Sequence, residues 1–196
     1  MGATDKYNET MDKVALYIDR LNSLITELLY VSRIQSGYID LHQERFNFDT
    51  MISEAIENLG TSISSHKINL IGKVDIEVLG DESHLVQVVN NLISNGIKYA
   101  PHSSEVQVYV SKVSEYVKVS VTDYGLGISA EDQKRIFERF FRGGDVQKRF
   151  PGMGIGLYVC YQIIKNHGGT IWVDSQEGKG STFSFTIPIN GRANHE

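Results

Sequence analysis

Between residues 5 and 36 the chain has no glycine or proline, and Val14, Tyr17, Leu21, Leu24, Leu28 and Val31 recur in alternating steps of three and four. Ile18, Ile25 and Leu29 widen the stripe. That is the seam of a long helix packing along another helix. So broad an apolar face needs a partner, from a second chain or from sequence outside this one. The pattern stops at Gly37, which sets a boundary there.

Beyond residue 40 helical and strand periods alternate. "DLHQERFNF" suggests a short strand, and Asp49 is placed to cap a helix running to about Ser64. "KINLIG" and "DIEVLG" read as strands. Residues 82–99 form a helix: Leu85, Val88, Val89, Leu92, Ile93 and Gly96 share one arc, while His84, Gln87, Asn91, Asn95 and Lys98 share the other. Val106, Val108 and Val110 alternate, as do Val117, Val119 and Val121, with a hairpin turn between them. A short helix is expected from Ser129, and a longer one from the glycine-rich stretch 143–156 to Gly168-Gly169. "TIWVDS" and "STFSFTIPI" close the chain as a hairpin. The sum is an α/β layer, with helices on one face of a mostly antiparallel sheet.

Composition narrows this little. Apolar residues are 41% and charged residues 22% of 196, as in ordinary globular proteins. A net charge of −5 argues against a general nucleic-acid or anionic-membrane binder. The single cysteine, Cys160, excludes an internal disulfide, fits a reducing compartment and reads as a small buried apolar residue. No apolar run is long enough to cross a bilayer.

Three stretches carry candidate chemistry. The first is the polar stripe of the helix at 82–99. Asn interrupts a good helix at Asn91 and Asn95, one turn apart. Amide oxygens suit a hard cation such as Mg²⁺, and Lys98 adds a point charge for phosphate. Alone, the stripe is also what a solvated helix face offers. The second is "VSVTDYGLGIS", where Asp123 keeps the parity of the valines, so its carboxylate faces their side and must find donors. Gly125 and Gly127 follow, permitting close backbone approach to a flat ligand. An Asp-Gly turn after a strand is the competing reading. In the third, Gly152, Gly154 and Gly156 stand at a helix start, where free N–H groups make an anion site. The spacing matches neither a dinucleotide fingerprint nor a P-loop.

In this order the three resemble the N, G1 and G2 boxes of the ATP-binding domain of sensor histidine kinases, whose fold is shared with the Hsp90, gyrase and mismatch-repair ATPases. "RIFERFFRG" (135–143) resembles the F box, and "GKGSTFSFTIP" (178–188) the closing hairpin. Residues 1–37 resemble the second helix of the dimerisation and phosphoacceptor domain, and 38–196 the catalytic domain of the Bergerat fold. The resemblance implies these roles. Asp123 binds the adenine amino group of ATP with support from Thr182, and Gly125 and Gly127 border the base. Asn95 binds Mg²⁺, and Asn91 sits beside the phosphates. Lys98 and Tyr99 contact phosphate or ribose. Gly152, Gly154 and Gly156 form the hinge and phosphate cradle of a mobile lid. Arg139 and Arg142 are candidates for the γ-phosphate.

The hydrolysing relatives carry a general-base Glu where this chain has Asn91. An amide cannot take a proton from water, so transfer to an imidazole is implied rather than hydrolysis. None of His42, His66, His84, His102, His167 and His195 has the setting of the family's phosphoacceptor motif. The chain therefore reads as a fragment that binds Mg·ATP without labelling itself. Its implied partners are an acceptor-histidine domain, a response regulator and, through the N-terminal helix, a second copy. Cytoplasmic placement under a membrane-anchored parent is implied as well, with no membrane contact by this chain. An ATPase or anti-sigma-type serine kinase of the same fold, and a non-catalytic dimerisation module, are the alternatives.

Overall fold

The computed structural model describes residues 11, 14, 41–62, 66–144, 150 and 152–191. The chain divides into two units, Met1–Ile39 and Asp40–Glu196. The predicted N-terminal seam lies outside the described residues except at Val14, which is helical and exposed, as is Met11.

The second unit runs β1 (Glu44–Asn47), α1 (Phe48–Ser62), β2 (Lys67–Ile71), β3 (Glu77–Gly80), α2 (Glu82–Tyr99), β4 (Glu105–Val113) and β5 (Tyr116–Asp123). A 3₁₀ turn at Asp132–Lys134 follows, then α3 (Gly156–Asn166), β6 (Thr170–Gln176) and β7 (Gly180–Pro188). Five strands form one sheet in the order β2-β4-β5-β7-β6, while β1 and β3 make a separate ribbon. Only the β2–β4 pair of the larger sheet is parallel; the other three pairs are antiparallel. The mixed, mostly antiparallel sheet expected from the alternation is thus present.

Strand alternation sets which face is covered. Along β5 every second residue, Val117, Val119, Val121 and Asp123, is buried, and the residues between them are not. The buried parity meets the apolar arc of α2, where Leu85, Val88, Val89, Leu92, Ile93 and Gly96 are all buried. Each such valine removed from water contributes about 1.5–2 kcal/mol. Cys160 is buried on α3 beside Val159, Ile163 and Ile164.

One local expectation needs correcting. Helix α1 begins at Phe48, and its cap is Asn47, whose Oδ1 accepts from Thr50 N–H at 3.0 Å. Asp49 lies inside the first turn and instead accepts from the backbone N–H groups of Val74 and Asp75 at 3.0 and 2.6 Å. Ser129 does cap as expected, accepting from Asp132 N–H at 3.1 Å. The short helix expected there is this 3₁₀ turn.

Candidate functional site

The sequence of α2 explains why one end of it becomes a site. Asp81 caps the helix, accepting from His84 N–H at 3.1 Å, and the chain then runs unbroken to Tyr99. At that far end Gly96 packs on β4 and β5; a Cβ there would stand 3.5 Å from the Cβ of Asp123. The helix therefore lies close over the end of β5, and a larger side chain at 96 would push into the space beside the carboxylate.

A hollow of about 460 Å³ opens at this place. Asn95 and Tyr99 from α2, Asp123 from β5 and Gly127 from the following loop line it together. Its walls also include Leu126, Ile128, Ile136, Phe141, Leu157 and Phe183, an apolar slot of the kind a flat ring fills. Ser129, Asp132, Gly143, Gly144, Glu177 and Ser181 complete the lining.

Asp123 is 5% exposed. Its Oδ1 accepts from Gly125 N–H at 2.9 Å, and among the described residues no cation pairs with it. Burial pushes its carboxyl above the ordinary 3.8, against backbone hydrogen bonds from Gly125 and Ser181 that pull it down. The carboxylate thus keeps acceptor capacity turned into an apolar slot, a costly arrangement unless a donor arrives.

The two glycines after Asp123 work differently. Gly125 lies where the loop crosses the end of α2, and a Cβ there would overlap the Tyr99 carbonyl; Leu126 N–H donates to that carbonyl at 3.1 Å. Gly127 has φ +67° and lines the hollow itself, its Cβ position blocked by the Gln176 carbonyl. Only the second borders the space a ligand would take.

The other expected residues gather nearby but outside the lining. Asn91 faces the start of α3, where a Cβ on Gly156 would lie 3.0 Å from Asn91 Oδ1. That start has no side-chain cap, so its first N–H groups remain available. Lys98 Nζ stands 3.3 Å from the Cβ position of Gly152 and 4.8 Å from the Tyr99 ring centroid. Gly154 has φ +71°, and its carbonyl accepts from Phe140 N–H at 3.0 Å, tying this stretch to the F-box segment. Residues 145–149 and 151 of the expected lid lie outside the described residues.

Arg139 and Arg142 do not line the hollow. Arg139 stacks its guanidinium 4.5 Å over Phe140, with its buried Nε lacking a hydrogen-bond partner among the described residues. Arg142 donates to the Phe150 carbonyl.

Thr182 is the clear correction. It pairs with Thr122 across β5 and β7, its hydroxyl 3.0 Å from that of Thr122, on the sheet face opposite Asp123. The residue that faces Asp123 is Ser181, which lines the hollow. A one-residue step in a strand reverses the face, so the two cannot exchange roles. Sequence reasoning also missed the apolar wall. The parity of Ser181, Phe183 and Phe185 was visible, but the partner strand that gives it meaning was not.

As a cofactor test, a purine nucleotide with magnesium suits these groups. The slot has a largely apolar wall, with the buried Asp123 carboxylate and Ser181 hydroxyl as acceptors. Asn95 brings a neutral amide oxygen of the kind hard cations accept. The described residues hold no group of three or more His, Cys, Asp or Glu that could bind a metal alone, so a cation here would depend on ligand phosphates for much of its coordination.

The family described as Histidine kinase-, DNA gyrase B-, and HSP90-like ATPase matches residues 80–191, more than half of the chain. The sensor-like histidine kinase SenX3 of Mycobacterium tuberculosis is 36% identical over 188 residues, covering 94% of this chain and 46% of SenX3. The adaptive-response sensory kinase SasA of Crocosphaera subtropica is 36% identical over 187 residues, covering 93% and 48%. The chain spans about half the length of these curated relatives. Among solved structures, the mycobacterial sensor histidine kinase MprB superposes with a TM-score of 0.67 at 26% identity, covering 76% of this chain and 99% of that one. Every residue assigned to the site lies within the matched stretch, and on that match the chain belongs to the histidine kinase-, DNA gyrase B- and HSP90-like ATPase family, with the catalytic-domain fold of the sensor histidine kinases.

Proposed function

We propose that this chain is the ATP-binding catalytic module of a two-component sensor histidine kinase, with residues 1–37 as the second helix of its dimerisation and phosphoacceptor domain and 38–196 as the catalytic domain. The observation that carries the proposal is the shared hollow. A buried, under-donated Asp123 carboxylate, the Asn95 amide and the Tyr99 ring all open onto one apolar slot. The likeness to SenX3 along 94% of the chain supports extending the reading to the N-terminal residues.

In this reading Asp123 accepts from the exocyclic amino group of adenine, with Ser181 beside it and Gly127 bordering the ring. Asn95 offers its amide oxygen to Mg²⁺, which supplies charge neutralisation along the triphosphate. Lys98, at the base of the lid, and the uncapped N–H groups at Gly156 bind phosphate oxygens. Asn91, between them, orients the chain of phosphates without acting as a base. Arg139 and Arg142 reach the γ-phosphate only after the F-box segment moves toward the hollow.

An amide at position 91 leaves water unactivated, so the γ-phosphoryl group waits for a histidine of the acceptor domain, from which a response regulator is then charged. ATP as donor and a lone thiol are both consistent with a cytoplasmic site under a membrane-anchored parent.

Incubation with γ-labelled Mg·ATP is expected to leave this chain without acid-labile phosphate and to label an acceptor-histidine domain supplied separately. Strong self-labelling, or steady release of inorganic phosphate without any acceptor, would favour another member of the fold.

A further inference from the structure

Helices α2 and α3 are tied together a second time, far from the hollow. Asp81, just before α2, donates its backbone N–H to Nε2 of His167, just after α3, at 3.0 Å. His167 Nδ1 lies 2.8 Å from the Ile163 carbonyl. One tautomer satisfies both contacts: Nδ1 carries the proton and Nε2 offers its lone pair. The ring is 2% exposed, so water cannot take over either role.

The geometry links this tie to the site. Ten residues along α2 from Asp81, Asn91 packs against Gly156; eleven residues along α3 from Gly156 stands His167. The helices therefore run antiparallel, pinned at two points about 15 Å apart at the helical rise of 1.5 Å per residue. One pin lies where Asn91 meets the start of α3, and the other is His167.

We infer that His167 is a positioning residue for the nucleotide site: its neutral ring fixes the register of α3 on α2, and with it the placement of the α3 N-terminus beside Asn91. The inference rests on the reading of the hollow as a Mg·ATP site. Protonation of Nε2 would set one donor against another across the 3.0 Å contact, and the pin must open. Burial lowers the pKa of the ring below the ordinary 6.5, against the Ile163 hydrogen bond and the charge of Asp81, which raise it. The pin is thus closed at neutral pH and opens in acid.

Other titratable groups face this corner. The Asp81 carboxylate holds His84 Nδ1 at 2.7 Å, Ser83 Oγ at 2.7 Å and His42 N–H at 2.9 Å. The His42 ring, in turn, stands 4.0 Å from Glu44. Gly80 of β3 packs on the His167 ring and brings no charge.

The test is Mg·ATP affinity by calorimetry from pH 7.5 to 5.0 in the wild type and in His167→Gln, His167→Leu and His84→Gln. The wild type should lose affinity as pH falls toward the lowered His167 pKa, by up to about fivefold beyond the ligand's own titration, the worth of one net hydrogen bond. His167→Gln, with an amide oxygen that accepts without titrating, should keep the affinity at pH 7.5 and show only the ligand's titration. His167→Leu should bind about fivefold more weakly at pH 7.5, and His84→Gln should keep the wild-type slope. A second measurement needs no variant. Saturating Mg·ATP should lower the pKa of His167, followed by ring-nitrogen NMR, by about 0.7, the logarithm of the same fivefold, because linkage is reciprocal. Equal slopes in the wild type and His167→Gln, or a His167 pKa indifferent to Mg·ATP, overturn the inference and leave a purely structural histidine. Absence of Mg·ATP binding by the wild type at pH 7.5 overturns the underlying reading and the inference with it.

Discussion

Asp81 and Asp123 are equally hidden, at 4% and 5% exposure, yet their carboxyl groups are pushed in opposite directions. Burial raises both. At Asp81 that push is outweighed by hydrogen bonds from Ser83, the backbone and ring of His84 and the backbone of His42, and its pKa settles at about 2. At Asp123 two backbone hydrogen bonds do not offset burial, and the pKa stays above 3.8. Asp123 is the more deeply embedded of the two and has fewer donors. A buried carboxylate surrounded by donors is a finished structural joint; one left short of them in an apolar slot is a receptor for a donor from outside.

The strongest challenge to this contrast is Asp81→Ala. It removes the cap of α2 and orphans several donors, and should cost about 3 kcal/mol of stability by urea unfolding. Mg·ATP affinity of the folded protein should move by less than about twofold, since Ala retains the N–H that binds His167. A loss of stability below about 1 kcal/mol would erase the distinction.

Asp123→Ala should show the reverse pattern. Affinity for Mg·ATP should fall about 50-fold with the loss of a charge-assisted hydrogen bond, while the free protein unfolds at the same urea concentration or a higher one. Equal binding by wild type and variant would remove the hollow from the reaction.

Acid unfolding sharpens the comparison. Asp81 is depressed on folding, so its contribution is complete above 3.8 and is lost as pH falls through about 2, at most about 2 kcal/mol in all. Asp123 is raised, so its contribution is complete below 3.8 and is lost as pH rises through its higher folded value. Urea unfolding between pH 2 and 6 should therefore tilt in opposite directions in the two Ala variants. The smallest effect belongs to Thr182→Val, on the far face of the sheet. It should leave Mg·ATP affinity within about twofold and cost under about 1 kcal/mol for the hydroxyl pair with Thr122.

Parts of this were legible in the chain and parts were not, for reasons visible at single residues. The buried arc of α2 and the parity of Asp123 follow from local periods of 3.6 and 2, so the sequence places them correctly. Pairing between residues 58 positions apart leaves no local mark, so the sequence offers Thr182 beside Asp123 where the register places Ser181. Asp49 suits a cap by type, but Asn47 stands one residue before α1 and Asp49 serves a distant turn. The F-box phenylalanines were recognised as a motif, yet nothing local said that Phe141 faces the slot while Phe140 lies exposed.

By itself the sequence determined the element types, the mixed sheet with its helices on one face, and the residue kinds able to hold a nucleotide. Each of these is written in periodicity or in side-chain chemistry. Only the tertiary structure decided which strand faces Asp123, how few donors reach it, and that His167 pins α3 to α2. Those facts depend on contacts between residues remote in the chain, where burial sets the cost of every missing hydrogen bond.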